Sequence, residues 1–319
     1  MKDYLAALLL SASIAIGIAA EFNEPGTFLD PASAGPDYAD QGEYLNDWGG
    51  AQVIALGDDK FRLVIYQGGL PGAGWNGERR PEMEGKREGD QIVFAPAEGG
   101  FKHSLSKGVL KTTTADGNEY RMEKTERKSP TMGSKPPPKA IVLFNGSNTD
   151  AWVDPHVDQK RNLIAAGTKT KRSFTNFTLH CEFLLPFKPA GRGQGRGNSG
   201  IYLQDRYEVQ VLDSFGLKGE NNECGALYSQ QKPSVNMCFP PLTWQTYDID
   251  FTSAQFDDSG KKTKPAIVTV KHNGVAVHDK YAIKDKTGGG KPEGPGGGPI
   301  QLQGHGNPVF YRNVWVVEK

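Results

Sequence analysis

Apolar residues along this chain arrive in short runs, and inside most runs they alternate with polar ones, the period of a half-buried strand. Residues 51–66 hold two such runs around Gly57-Asp58-Asp59 and predict a β-hairpin. Residues 91–97 predict another strand, and residues 107–127 a second hairpin turning at Asp116-Gly117. Between them, residues 67–85 read as a loop carrying Trp75, which could stack on a sugar or pack against the edge of its own domain. From residue 140 the strands come at regular spacing: 141–146, 177–186, 199–204, 207–213, 246–253, 266–279, 299–306 and 310–319. The dipeptide Asn273-Gly274 marks a tight hairpin turn. No helical period lasts longer than a turn or two. The expected fold class is therefore all-β, a jelly-roll sandwich preceded by a small β-rich domain.

Alternation also assigns side chains to faces. In the 207–213 strand, Val209 and Val211 point one way while Glu208 and Gln210 point the other. Ile300 and Leu302 oppose Gln301, Gln303 and His305; Ile201 and Leu203 oppose Tyr202 and Gln204; Leu179, Cys181 and Phe183 oppose His180 and Glu182. Several strands thus present Glu, Gln, His and Tyr where a solvated face would show Lys, Thr and Ser. Carboxamides and carboxylates bind vicinal hydroxyls and aromatic rings stack on pyranoses, so the pattern points to a saccharide cleft, a merely solvated face being the plainer alternative.

Composition supports the architecture and narrows the partners. Forty glycines and 21 prolines in 319 residues suit a turn-rich β protein. Lys plus Arg and Asp plus Glu both number 37, so no net charge favours nucleic acid or an anionic membrane. Leu5 to Ile18 is almost wholly apolar or small, and Gly17-Ile18-Ala19-Ala20 offers a cleavage site. That run is shorter than the roughly 20 residues of a membrane span. It reads as a signal peptide over residues 1–20, with an uncleaved anchor as the alternative. Export to the periplasm or the extracellular space follows, with no membrane span after cleavage. Residues 21–40 read as an extended leader, residues 21–128 as the β-rich accessory domain, residues 129–139 with Pro136-Pro137-Pro138 as a semi-rigid linker, and residues 140–319 as the jelly roll. Cys224 and Cys238 could bridge in an oxidising compartment, whereas Cys181 lies in an apolar strand. None of the three has zinc-site spacing.

The segments 143–152, 198–216, 224–251 and 300–316 resemble, in family order, the signature stretches of the 3-keto-disaccharide hydrolase domain family. Residues 53–75 look like the accessory region that precedes this domain in exported planctomycete-type proteins. The resemblance implies a concanavalin-like jelly roll and cleavage of glycosides already oxidised to a ketone at C3. That ketone acidifies the hydrogen at C2; a base removes it, the enolate expels the C1 oxygen, and water adds back. Such chemistry needs a base, an acid for the leaving group and a donor near the enolate oxygen. It also implies a glycoside or oligosaccharide substrate and, since no oxidising cofactor site is visible, a separate sugar 3-dehydrogenase that supplies the ketone.

Within that frame Glu208 is the candidate base, with hydroxyl binding as its alternative role. His305, flanked by Gly304 and Gly306, has the intrinsic pKa for acid or base work. Asp213 could be a second carboxylate. Arg206 and Arg312 could polarise a ketone or form buried ion pairs, Gln210 and Gln303 could bind hydroxyls, and Asn198 and Tyr228 lie in loops that the family shares. Family members often carry an acidic residue where Gly304 stands, which leaves metal dependence open. Glu208, Asp213 and His305 could hold a divalent ion, although the sequence requires no cofactor. No second carboxylate is placed at the ~5–5.5 Å spacing of a retaining glycosidase. The glycine-rich stretch 188–198 reads as a mobile basic loop beside the site, and 286–299 as a flexible or extended insertion near the cleft mouth. A non-catalytic carbohydrate-binding module is the rival reading, because this fold hosts many lectins.

Overall fold

The computed structural model describes residues 24–319, and the signal peptide expected over residues 1–20 lies outside them. Among the described residues nearly all regular structure is β. Eight antiparallel strands close into a barrel: β1 (Gly42–Asn46), β2 (Gly49–Gly57), β3 (Lys60–Gln67), β4 (Glu82–Glu88), β5 (Gln91–Phe94), β6 (Lys102–Ser106), β7 (Val109–Thr113) and β8 (Glu119–Thr125). The β2–β3 hairpin turns through Asp58 and Asp59, both at positive φ, as a two-residue turn matched to strand twist requires. Ala51, Val53, Phe61, Leu63, Ile92, Leu105 and Leu110 fill the lumen. β4 occupies the end of the stretch read as a loop. Its residues are charged except for Gly85 and Met83, the one apolar side chain it sends inward, so its periodicity is faint.

The segment read as an extended leader also folds. Asp30 accepts from Ala32 N at 2.9 Å and caps a 3-10 turn over Pro31–Ser33, and a short helix α1 (Gly35–Asp40) follows. Tyr38 of α1 meets Phe187 edge-on at 5.3 Å, and together with Phe28 they close one end of the barrel.

The C-terminal part is a sandwich of two sheets. The smaller contains, in spatial order, β10 (Trp152–Val153), β13 (Thr168–Thr170), β22 (Gln301–Leu302), β15 (Asn198–Leu203) and β16 (Tyr207–Leu212). The larger runs β11 (Val157–Asp158), β12 (Leu163–Ala165), β23 (Phe310–Glu318), β14 (Phe177–Leu184), β17 (Gln245–Thr252), β20 (Ile267–His272) and β21 (Val275–Ala282), with β9 (Ile141–Phe144) beside β23. A separate ribbon joins β18 (Gln255–Phe256) to β19 (Lys262–Lys264). Ile201, Leu203, Val209, Val211 and Leu302 from one sheet meet Leu179, Phe183, Ile249, Phe251 and Val268 from the other in a continuous core. The Asn273-Gly274 turn joins β20 to β21 with both residues at positive φ.

Two expectations change here. Residues 129–134 are a docked strap rather than a free spacer: Thr131 donates to Asp248 Oδ2 at 2.7 Å, and Glu182 Oε1 accepts from Gly133 N at 2.6 Å. The exposed part is residues 135–139, around the three prolines. Cys224 and Cys238 are free buried thiols in mutual contact, not a bridge.

The barrel and the sandwich share an apolar seam. Phe215, just after β16, is wholly buried against Ile54, Val64 and Tyr66 on the barrel's outer surface. Arg127 clasps Glu43 through two 2.6 Å hydrogen bonds and stacks over Phe239 at 4.9 Å. Phe215→Ala is expected to cost about 3–5 kcal/mol of stability, the usual loss for a truncated core aromatic, measured by denaturant unfolding of the intact chain.

Candidate functional site

The smaller sheet presents its polar face outward, and cross-strand register assembles the site. β15 and β16 pair so that Tyr202 stands opposite Glu208 and Gly200 opposite Gln210. β22 sets Gln301 beside Tyr202, and Gln303 N donates to Gly200 O at 2.8 Å. The carboxylate of Glu208 therefore leans over the strand position that has no side chain. A Cβ added to Gly200 would lie 2.3 Å from Glu208 Oε1.

Glu208 is 3% exposed, and Tyr202 Oη donates to its Oε2 at 2.8 Å. Burial raises the carboxyl to about 7; the Tyr202 hydrogen bond opposes the rise without cancelling it. Burial and the adjacent carboxylate push the Tyr202 phenol up as well, so it stays a donor at neutral pH. Gln210 answers to the same charge. Turned with its nitrogen inward it donates to Glu208 Oε1 at 3.1 Å and to Ser199 O at 2.8 Å; turned outward it donates to Gln194 Oε1 and Asn198 Oδ1. The first orientation suits an ionised Glu208, and the second places an amide oxygen where a protonated carboxyl could donate.

Asn198 opens β15 and donates to Gln194 in the 188–198 loop. Tyr228 N donates to Glu208 O at 3.1 Å, and its phenol lies close enough to Tyr202 to contribute to the upward push there. The glycine-rich segment after residue 286 is tied down at this spot. Thr287 Oγ1 accepts from Glu208 N at 2.9 Å, and Lys291 N donates to Asp205 O at 2.7 Å. A Cβ on Gly289 would sit 3.0 Å from Tyr202 Oη.

Glu208, Gln210, Gln303, Asn198 and Tyr228 thus come together. Four other expected site residues do not join them. Asp213 is fully buried beyond the end of β16, ion-paired to Arg196 Nε at 3.1 Å, and out of reach of substrate. Arg206 turns back to Gln204 Oε1 and Gly296 O, tying the β15–β16 turn. Arg312 belongs to the larger sheet, where its Nε donates to Glu182 Oε2 at 2.6 Å and its guanidinium lies 3.8 Å over Trp244. His305 sits in the exposed loop after β22 and hydrogen-bonds to no other described residue. Among the described residues no group of three His, Cys, Asp or Glu side chains converges on a metal position, so Glu208, Asp213 and His305 do not form a joint ligand set.

His180 and Glu182 also leave the expected face, because β14 lies in the other sheet. His180 Nδ1 is 2.6 Å from Asp248 Oδ1 and its ring stacks on Trp315. Glu182 is held down to about 2: burial would raise it, but hydrogen bonds from His180, Asn313, Arg312 and Gly133 N outweigh that effect. The residues missed from sequence are Tyr202 as the partner of Glu208, and Gln194 and Thr287 beside it. The short 204–206 connection held the signal for Tyr202, since it fixes residue 202 opposite 208.

The chain belongs to the 3-keto-α-glucoside-1,2-lyase-like domain family, whose model matches residues 139–317. Among solved structures it is similar to a candidate glycosyl hydrolase from Parabacteroides distasonis ATCC 8503, at 34% identity and a TM-score of 0.53, over 57% of this chain and 84% of that one. Two further candidate glycosyl hydrolases from the same organism align at 18% and 20% identity with TM-scores of 0.42, covering 57% of this chain and 94% and 100% of theirs. No curated protein matches the chain.

The contact over Gly200 gives the first prediction at the site. Gly200→Ala is expected to displace the Glu208 carboxylate and lower turnover by at least about tenfold while the fold persists, checked by kinetics alongside circular dichroism. The second follows from linkage. The Glu208 carboxyl has a folded value of about 7 against an ordinary 4.5, so the folded chain keeps a proton that the unfolded chain has already released between those values. Stability therefore falls as pH rises through that window. Glu208→Gln should gain up to about 3 kcal/mol over the wild type near pH 8 and almost nothing near pH 4, read by denaturant unfolding at both pH values.

Proposed function

We propose that this protein cleaves glycosides carrying a ketone at C3 of the sugar, with Glu208 as the base. The observation that supports this reading is a buried carboxyl held at about 7 on the polar face of the smaller sheet, within the segment matched by the family model. A base poised near neutral pH can take the C2 proton, whose acidity the neighbouring ketone raises. The C2–H bond breaks, its electrons form the enolate, and the enolate collapses to expel the C1 glycosidic oxygen. That oxygen takes a proton from water, since His305 lies in the exposed loop after β22 and outside the Glu208 cluster. Addition of water across the unsaturated sugar then completes a net hydrolysis, with hydroxyl to C1 and hydrogen to C2. Gln210, Gln303 and Asn198 are hydroxyl-binding groups around Glu208, and Tyr202 holds the base in place through its 2.8 Å hydrogen bond. The substrate reaches this chain from a sugar 3-dehydrogenase, since C3 must be oxidised beforehand. Action outside the cytoplasm accords with the apolar leader read in the sequence.

The test is an assay of the chain from residue 21 onward on a 3-keto-disaccharide and on its unoxidised parent, with and without a chelator. Cleavage of the keto sugar alone is expected, with kcat/KM rising through about pH 7 as Glu208 loses its proton. Glu208→Gln should abolish turnover while sugar binding persists. His305→Ala should leave kcat unchanged, and a large loss of kcat in that variant would restore His305 as the acid. Sugar binding without cleavage of either compound would instead make this a lectin-like module.

A further inference from the structure

The barrel has one closed end and one open end. α1, Phe28 and Phe187 fill the end where β1 begins. The other end, where β1 turns into β2, opens on a cavity of about 970 Å³, at the upper end of the range of small-molecule pockets. An eight-stranded barrel is wide enough to hold one small ligand when its lumen is not filled throughout. Here the upper lumen is walled by Ile65, Met83 and Met122. Two methionines in that position give a wall that adapts to the shape of a guest.

Three aromatic side chains stand at the mouth: Trp48 is 76% exposed, Phe101 40% and Tyr120 45%. Among the described residues these are half of the large hydrophobic side chains left exposed, and they surround one opening. Trp48 sits at the tip of the β1–β2 hairpin, which Asn46 fixes by accepting from Trp48 N at 3.0 Å and donating to Arg121 O at 2.9 Å. The aromatic rim is thus presented on a pinned turn.

His103 lines the cavity at 4% exposure. Its Nδ1 lies 2.9 Å from Thr112 Oγ1, and no described residue hydrogen-bonds its Nε2. Burial lowers the His103 pKa, so the ring is neutral at physiological pH. If Nδ1 carries the proton, Nε2 accepts; if Thr112 donates to Nδ1, Nε2 donates. A hydroxyl satisfies either tautomer.

We infer that the open mouth of the barrel binds a small, uncharged, flat ring compound bearing a hydroxyl group, of which a phenol is the simplest. The apolar walls would strip water from a charged guest, and among the described residues the only charged groups lining the cavity, Arg79 and Glu98, are a solvent-exposed pair at its rim rather than beside a buried ring. A saccharide fits less well for a related reason: His103, Thr112 and Thr114 could serve a few of its hydroxyls, but the rest would be buried against Ile65, Met83 and Met122. A planar ring stacks on the rim and reaches His103 with its hydroxyl. This inference does not depend on the chemistry proposed at Glu208, which lies on the sandwich.

The experiment is isothermal titration calorimetry of the chain from residue 21 onward with 2-naphthol. Binding at one site per chain is expected. His103→Leu should weaken it about tenfold, the loss of one buried hydrogen bond. Trp48→Ala, on an exposed turn that cannot unfold the core, should weaken it by a similar factor, and Met122→Trp should abolish it by filling the lumen. Glu208→Gln should leave it unchanged. Absence of binding would overturn the inference. So would binding that survives all three barrel substitutions, binding lost in Glu208→Gln, or a disaccharide that competes for the same site.

Discussion

The structure turns on a carboxylate that is buried with a single side-chain hydroxyl to satisfy it. Glu208 could be accommodated in many ways on an exposed sheet face, and most would leave it an ordinary surface acid. Here Gly200 removes the side chain across the ladder, so the carboxylate drops into the sheet surface instead of standing off it. Tyr202 then supplies the one phenolic hydrogen bond, and the 287–290 segment closes over the pair. Each feature lowers solvent access more than it adds compensation, and the result is a carboxyl at about 7. Carboxyls shifted in this way cluster at functional sites.

Glu182 makes the contrast within the same molecule. It too is buried in a strand, with 1% exposure against 3% for Glu208, so burial alone does not separate them. What separates them is the number of donors. Glu182 has Arg312, Asn313, Gly133 N and His180 around it and is held down to about 2, a permanently ionised knot between the docked strap and the larger sheet. Glu208 has one donor besides the Gln210 amide, which can turn either way. The first arrangement fixes a charge and the second leaves a proton mobile near neutral pH. The two outer faces of the sandwich are therefore unlike, one carrying a fixed charge and the other a carboxyl poised near neutral pH, and Arg312 belongs to the first.

Sequence pattern reached the strands and the face of each side chain because both are local properties. The hairpin at Asp58-Asp59, the Asn273-Gly274 turn, and the outward Glu208 and Gln210 against inward Val209 and Val211 all follow from period and turn chemistry. The sheet that a strand joins is not local. β14 and β16 both alternate apolar with polar residues, each with one glutamate, and only long-range pairing shows that His180 and Glu182 lie on the far side from Glu208. β4 and α1 were hidden for a different reason. Each sends one large apolar side chain inward, Met83 and Tyr38, and a single position carries no period. Asp213 misled because a strand-end carboxylate looks accessible until the residue that buries it, Arg196, arrives from a separate loop.

That Arg196–Asp213 pair shows what the barrel contributes to the sandwich. Isolated buried ion pairs seldom stabilise, since desolvation consumes most of the attraction. Their better use is to fix one segment against another. Here the pair locks the 188–198 loop to the end of β16, and both partners are then braced from the barrel side. Arg192 donates to Leu56 O at 2.7 Å, Arg80 donates to Gly216 O at 2.8 Å, and Phe215 is sunk among Ile54, Val64 and Tyr66. The loop carries Gln194 and leads into Asn198, while β16 carries Glu208 and Gln210. The barrel therefore holds in register the two segments whose side chains surround the buried carboxyl, and does so without placing a residue of its own beside it. Catalytic groups on rigid, externally braced elements are held more closely than groups on free loops. The accessory position of the barrel in the sequence conceals that mechanical role.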